Sequence, residues 1–127
     1  MPYRQPLEKL LEEKKVLGVV IFDPSGNDWW HTGSFPQAND RLLDGYYLIH
    51  EWVTYPASAE IAGVKYLTLL NAYPDYWLLT NMQGQGSLIL QKATNGFYFF
   101  CYLDESIDPP DIQKEVKVIA ELFAQGV

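Results

Sequence analysis

The sequence has one cysteine, Cys101, two histidines, and no apolar run near the roughly 20 residues that a membrane-spanning helix needs. A lone cysteine excludes an internal disulfide and makes a reducing cytoplasm the expected compartment. His31 and His50 stand apart, with no Cys–His or His-x-x-x-His arrangement beside them, so no metal site is expected. Basic residues are scarcest in the middle: between Arg41 and Lys114 only Lys65 and Lys92 occur, in a chain of net charge −7. A nucleic-acid groove displaces phosphate counterions with clustered Lys and Arg, so that class is excluded. The same scarcity argues against strong attraction to anionic lipids. Proteins or peptides are the expected partners.

Catalytic arrangements are missing too. Cys101 falls within FYFFCYL, the most apolar segment, where a thiol packs as a small hydrophobe. GQGS (Gly84 to Ser87) lacks the lysine and the following helix of a phosphate loop and reads as a hairpin turn. The carboxylates between Asp104 and Asp111 gather at a helix entrance without the marks of a cleft. The chain is therefore expected to be neither an enzyme nor a cofactor carrier.

What is present is a core. The 127 residues, 48% of them apolar, suit a single domain over 1–127. The start, MPYRQPLEKLLEEKK, is charged and periodic rather than a signal peptide. Pro6 suits a first helical turn, with Leu7, Leu10 and Leu11 on one side. VLGVVIF then reads as a strand ending at the turn DPSGND, and a second strand carrying Trp29 and Trp30 closes the hairpin until Pro36 stops it. Asn39 to about Val53 reads as a helix, capped by Asn39 or Asp40, with Leu42, Leu43, Tyr46, Tyr47 and Ile49 as its apolar face. Strands follow around Ala59–Ile61 and in VKYLTLL, DYWLLTN, SLILQK and FYFFCYL. Asp108 and Pro109 open a last helix with Ile112, Val116, Ile119 and Phe123 in one stripe. That order predicts an α+β fold with helices on the faces of one antiparallel sheet.

GNDWWHTGSFPQAND poses its own question. Neighbouring side chains leave a strand on opposite faces, so Trp29 and Trp30 are expected to serve different sides.

Four segments carry a family resemblance in register: GVKYLTLL, GQGSLILQK, YLDESIDPPDIQKEV and the closing AQGV. The first strand tryptophan, Trp29, is also followed by Phe35, Pro36 and Gln37. In these features the chain resembles profilin over nearly its whole length, as a divergent, acidic, minimal form of archaeal type. It departs from many profilins in a short N-terminus without their helix-one Trp and Tyr. Met82 and Gln83 stand where a lysine pair is common.

The resemblance implies a central antiparallel sheet with the N- and C-terminal helices on one face and a further helix on the other. It implies a cytoplasmic, cytoskeletal regulator that binds monomeric actin, holds it, delivers it to growing filament ends and is itself monomeric. The actin face carried over is Lys65, Leu67 and Thr68, Met82 and Gln83, Leu88 and Leu90, then Ile107, Asp108, Gln113 and Lys114. Leu67, Leu88 and Leu90 have the alternative of being core, and Lys65 is expected to be an isolated rim cation. A site for proline-rich peptides would use Tyr3, Trp29, Leu122 and Phe123, with Trp29 toward the terminal helices and Trp30 toward the other side. Phosphoinositide binding is expected to be weak or absent. A competing reading is a roadblock- or longin-like scaffold that dimerises and docks small GTPases; the Phe-Pro-Gln and Gly-x-Lys-Tyr segments favour profilin.

Overall fold

In the computed structural model, residues 2–33, 45–61 and 63–126 are described. Helix α1 (Arg4–Glu12) buries Leu7 and Leu10 on one stripe, with Leu11 packed at its side. Strand β1 (Gly18–Phe22) is buried at every position, the pattern of an inner strand covered on both faces. The turn to β2 (Asp28–Gly33) is built by Asp23, whose carboxylate accepts the backbone N–H groups of Ser25 and Asn27, each at 2.9 Å. Gly26 takes the left-handed conformation there, φ +88°, which glycine adopts without steric cost. Helix α2 (Gly45–Trp52) follows, then β3 (Ser58–Ile61), β4 (Val64–Ala72), β5 (Tyr76–Thr80), β6 (Ser87–Lys92) and β7 (Tyr98–Leu103), and finally α3 (Pro109–Gly126). The expected positions of Pro36, Asn39, Asp40, Leu42 and Leu43 lie outside the described residues, as does the Phe-Pro-Gln segment.

The strands form one antiparallel sheet in the order β2-β1-β7-β6-β5-β4-β3. Pleating divides its side chains between two cores. Val19, Ile21, Leu78, Ile89, Phe99, Cys101 and Leu103 pack with α1 and α3. Val20, Phe22, Trp77, Leu79, Leu88, Leu90 and Phe100 pack with Leu48 and Trp52 of α2. The terminal helices thus share one face and α2 takes the other, the arrangement expected for a profilin-like α+β fold. The α3 stripe is Ile112, Val116, Ile119 and Phe123, joined by Ala120. Burial pushes the Cys101 thiol up to about 12, so it stays protonated and inert.

One expectation fails. Ile21 pairs with Trp30 and Phe22 with Asp28, which leaves Trp29 as an extra residue in β2. Such a bulge suspends the strict alternation of faces. Both indoles therefore belong to the α1/α3 side. Trp29 meets Phe97 and Phe123 edge-on, while Trp30 packs against the same core with the Arg4 guanidinium 5.0 Å above its ring.

Candidate functional site

Strand β4 runs beyond the reach of α3. Tyr66 turns into the α2-side core, so its neighbours Lys65 and Leu67 lie on the α3 side, Lys65 exposed and Leu67 half-buried. The register agrees: Leu67 pairs with Thr80, Thr80 with Ser87 and Ser87 with Leu103, a core residue beneath the terminal helices. Glu60 stands across the strand from Lys65, but among the described residues no carboxylate is within ion-pair distance of the Lys65 ammonium. A register shift between Thr68 and Leu70 then pairs Leu70 with Leu78 of the α3-side core. Leu69 and Leu70 are both left exposed.

The β5–β6 turn is held against this strand by one side chain. Asn81 Nδ2 donates to the Lys65 carbonyl at 2.8 Å. Its Oδ1 accepts the N–H groups of Gln83 and Gln85 at 2.8 and 3.2 Å. The Tyr102 hydroxyl donates to the Gln85 carbonyl from below. Gly86 (φ +95°) packs against the Leu103 carbonyl, where a Cβ would collide. So clamped, the turn displays Met82, 74% exposed, and Gln83. Lys65, Leu67, Asn81, Met82 and Gln83 line a shallow depression of about 320 Å³. The loop into α3 lies alongside, with the Glu105 carboxylate against Gly84.

The residues carried over by resemblance divide accordingly. Lys65, Gln83, Asp108 and Lys114 are exposed with Met82, and Leu67 and Ile107 are half-buried. Leu88 and Leu90 are 0% exposed in the α2-side core, so they are core residues and no docked surface reaches them. Thr68 faces the α2 side, its hydroxyl donating to the Pro56 carbonyl and accepting Trp77 Nε1–H. Gln113, 7% exposed, donates to Gln91 Oε1 and so ties α3 to the sheet instead of meeting a partner. Asn81, Leu70 and the exposed Val118 of α3 were not foreseen. Asn81 closes the strand expected in DYWLLTN, and its bond to β4 depends on a pairing that sequence does not specify.

Aromatic residues near the termini form a second surface. Tyr3 and Phe123 are buried and edge-packed at 5.0 Å, so they support the surface without forming it. Trp29, 44% exposed, rests on Phe97 and Phe123. Leu122 is half-buried at its margin. Among the described residues no three His, Cys, Asp or Glu side chains group to hold a metal, and no helix is long and apolar enough to cross a membrane.

No family model and no curated protein matches the chain. Solved structures do. LokiProfilin1 superposes with a TM-score of 0.77 at 19% identity, over 98% of this chain and 96% of that one. LokiProfilin2, solved in complex with rabbit actin, gives 0.76 at 18% identity over the same shares. Acanthamoeba castellanii profilin IA gives 0.70 at 21% identity over 100% of both chains. The gliding protein MglB of Thermus thermophilus is less similar, with a TM-score of 0.58 at 14% identity over 98% of this chain and 87% of that one. The fold is profilin-like.

Proposed function

We propose that this chain, whose fold is that of the profilins, is a single-domain, monomeric protein that binds monomeric actin through the β4 and β5–β6 surface beside α3. The observation that carries this reading is the clamped depression, in which Lys65, Leu67 and Met82 converge on one rigid rim. Leu70 of β4 and Val118 of α3 are further exposed apolar side chains, and Lys114 and Asp108 are exposed charges at the start of α3. An apolar centre that excludes water and a rim of charges that sets orientation and on-rate suit a protein–protein contact. The similarity to LokiProfilin2 in its complex with rabbit actin supports actin as the partner. In this role the chain holds actin subunits, delivers them to growing filament ends in the cytoplasm and performs no covalent chemistry. Proline-rich peptides find a single exposed indole, Trp29, and bind weakly; phosphoinositides meet an acidic molecule and bind weakly or not at all.

Calorimetric titration into monomeric actin tests the proposal. One-to-one binding is expected, weakened about tenfold or more by Lys65→Glu, since a reversed rim charge changes an attraction into a repulsion. Unchanged affinity in that variant removes Lys65 from the face. Absence of binding to several actins overturns the reading. A dimeric GTPase-docking scaffold is the second reading, and a monomeric mass in solution removes it.

A further inference from the structure

The α2 side of the molecule has an exposed surface of its own. Tyr46, Tyr47, Val53, Tyr55 and Tyr73 are among the most exposed large apolar side chains; Tyr46 and Tyr47 lie on α2, Val53 and Tyr55 just past it, and Tyr73 in the turn between β4 and β5. Gly45, Leu48 and Trp52 form the buried stripe of α2, so Tyr46 and Tyr47 lie outside it. Exposed aromatic groups on this scale mark contact surfaces more often than idle ones.

The rings are held in place. Tyr73 lies edge-on to the buried Trp52 at 5.0 Å and to Tyr55 at 6.2 Å. Tyr46 stacks on His50 at 3.9 Å, and the His50 Nδ1 is 2.7 Å from the Tyr46 carbonyl oxygen. Tyr55 sits just past the helix with φ +53°, the left-handed conformation in which a helix end ordinarily places glycine. Its ring is 60% exposed.

Charge identifies the occupant. Glu51 follows Tyr47 by one helical turn. Burial raises the Tyr47 phenol above its ordinary value, and the nearby carboxylates of Glu51 and Glu60 raise it further, so the local field is negative. Neither carboxylate forms an ion pair among the described residues. The cationic or titratable groups nearby are His50 beneath Tyr46, Lys65 across the strand from Glu60, and Lys92, 5.9 Å from the Tyr98 ring. A guanidinium ion is the complement of such a surface: it is planar, stacks on tyrosine and bonds carboxylates in a bidentate manner.

We propose that the tyrosine shelf formed by Tyr46, Tyr47, Tyr55 and Tyr73 beside Glu51 docks an arginine-bearing segment of a partner protein. The shelf lies on the face of the sheet opposite α3, so it is separate from the proposed actin surface and stands or falls independently of it.

The test is calorimetric titration of the full chain with a short peptide alternating arginine and glycine, and with its lysine and proline counterparts. Saturable binding of the arginine peptide is expected, with the lysine peptide weaker. Tyr55→Ala and Glu51→Gln should each weaken it about three- to fivefold, the size of one exposed cation–π or charge-assisted contact. Glu12→Gln, the same loss of charge on α1, should leave the affinity unchanged. Equal weakening by Glu12→Gln and Glu51→Gln would reduce the effect to diffuse charge and overturn the proposal. So would tighter binding of the proline peptide, or the absence of saturable binding.

Discussion

Asn81 links the two strands that make the candidate face, since its three side-chain hydrogen bonds reach Lys65, Gln83 and Gln85. Asn81→Ala should lower stability by about 1–2 kcal/mol in urea unfolding and weaken actin binding while helical content stays unchanged. Native stability together with native affinity would show that the turn holds its shape without the clamp. Tyr66 behaves in the opposite way. Its ring is buried, its hydroxyl has no partner among the described residues, and burial followed by the nearby Tyr102 pushes its ionisation upward. Tyr66→Phe should therefore be neutral or stabilise by up to about 1 kcal/mol, because the desolvated hydroxyl offers no compensating bond. A clear loss of stability would reveal a partner for that hydroxyl. The paired tryptophans show the limit of reading residues in isolation. Alternation along an unbroken strand separates them, and one inserted residue reunites them.

At the scale of elements, the start of α3 and its stripe of Ile112, Val116, Ile119 and Phe123 were legible, because Pro109 and apolar spacing are local signals. Its fixation to the sheet was not legible. Gln113 bonds Gln91, Gln91 bonds the Asp75 carboxylate and carbonyl, and Asp75 pairs with Lys117 at 2.9 Å. These residues are far apart in sequence, and only the β5–β6 pairing and the seat of α3 assemble them. Burial works against the Asp75 carboxylate, but bonds from Lys117 and Gln91 outweigh it and hold its pKa below the ordinary 3.8. A depressed carboxylate pKa adds stability that is present above the unfolded value and lost as pH falls through the folded one. Lys117→Met should therefore reduce stability slightly at pH 7, by well under about 1 kcal/mol for a half-exposed pair. The deficit should shrink as the pH falls through the depressed folded pKa of Asp75, where the carboxylate becomes protonated in both proteins. A deficit of constant size across urea unfolding curves at both pH values would place the effect of Lys117 elsewhere.

For the molecule as a whole, one sheet serves two cores, and adjacent residues of β6 show it. Leu88 belongs to the α2 side and Ile89 to the α1/α3 side, both fully buried. Leu88→Ala and Ile89→Ala should each cost about 2–5 kcal/mol, and each should shift a single transition seen alike by circular dichroism and tryptophan fluorescence. Separate transitions would mean that the two layers unfold independently. Helix and strand periodicity, turn residues and the scarcity of cationic, metal-binding and catalytic groups are properties of short stretches of chain. The sequence by itself therefore determined the α+β class and the order of elements. Which side of the sheet receives each leucine, which turn closes on Lys65 and which tyrosines stay outside depend on register, bulges and helix placement. Those are long-range pairings between segments that carry no mark of one another, and only the tertiary structure decided them.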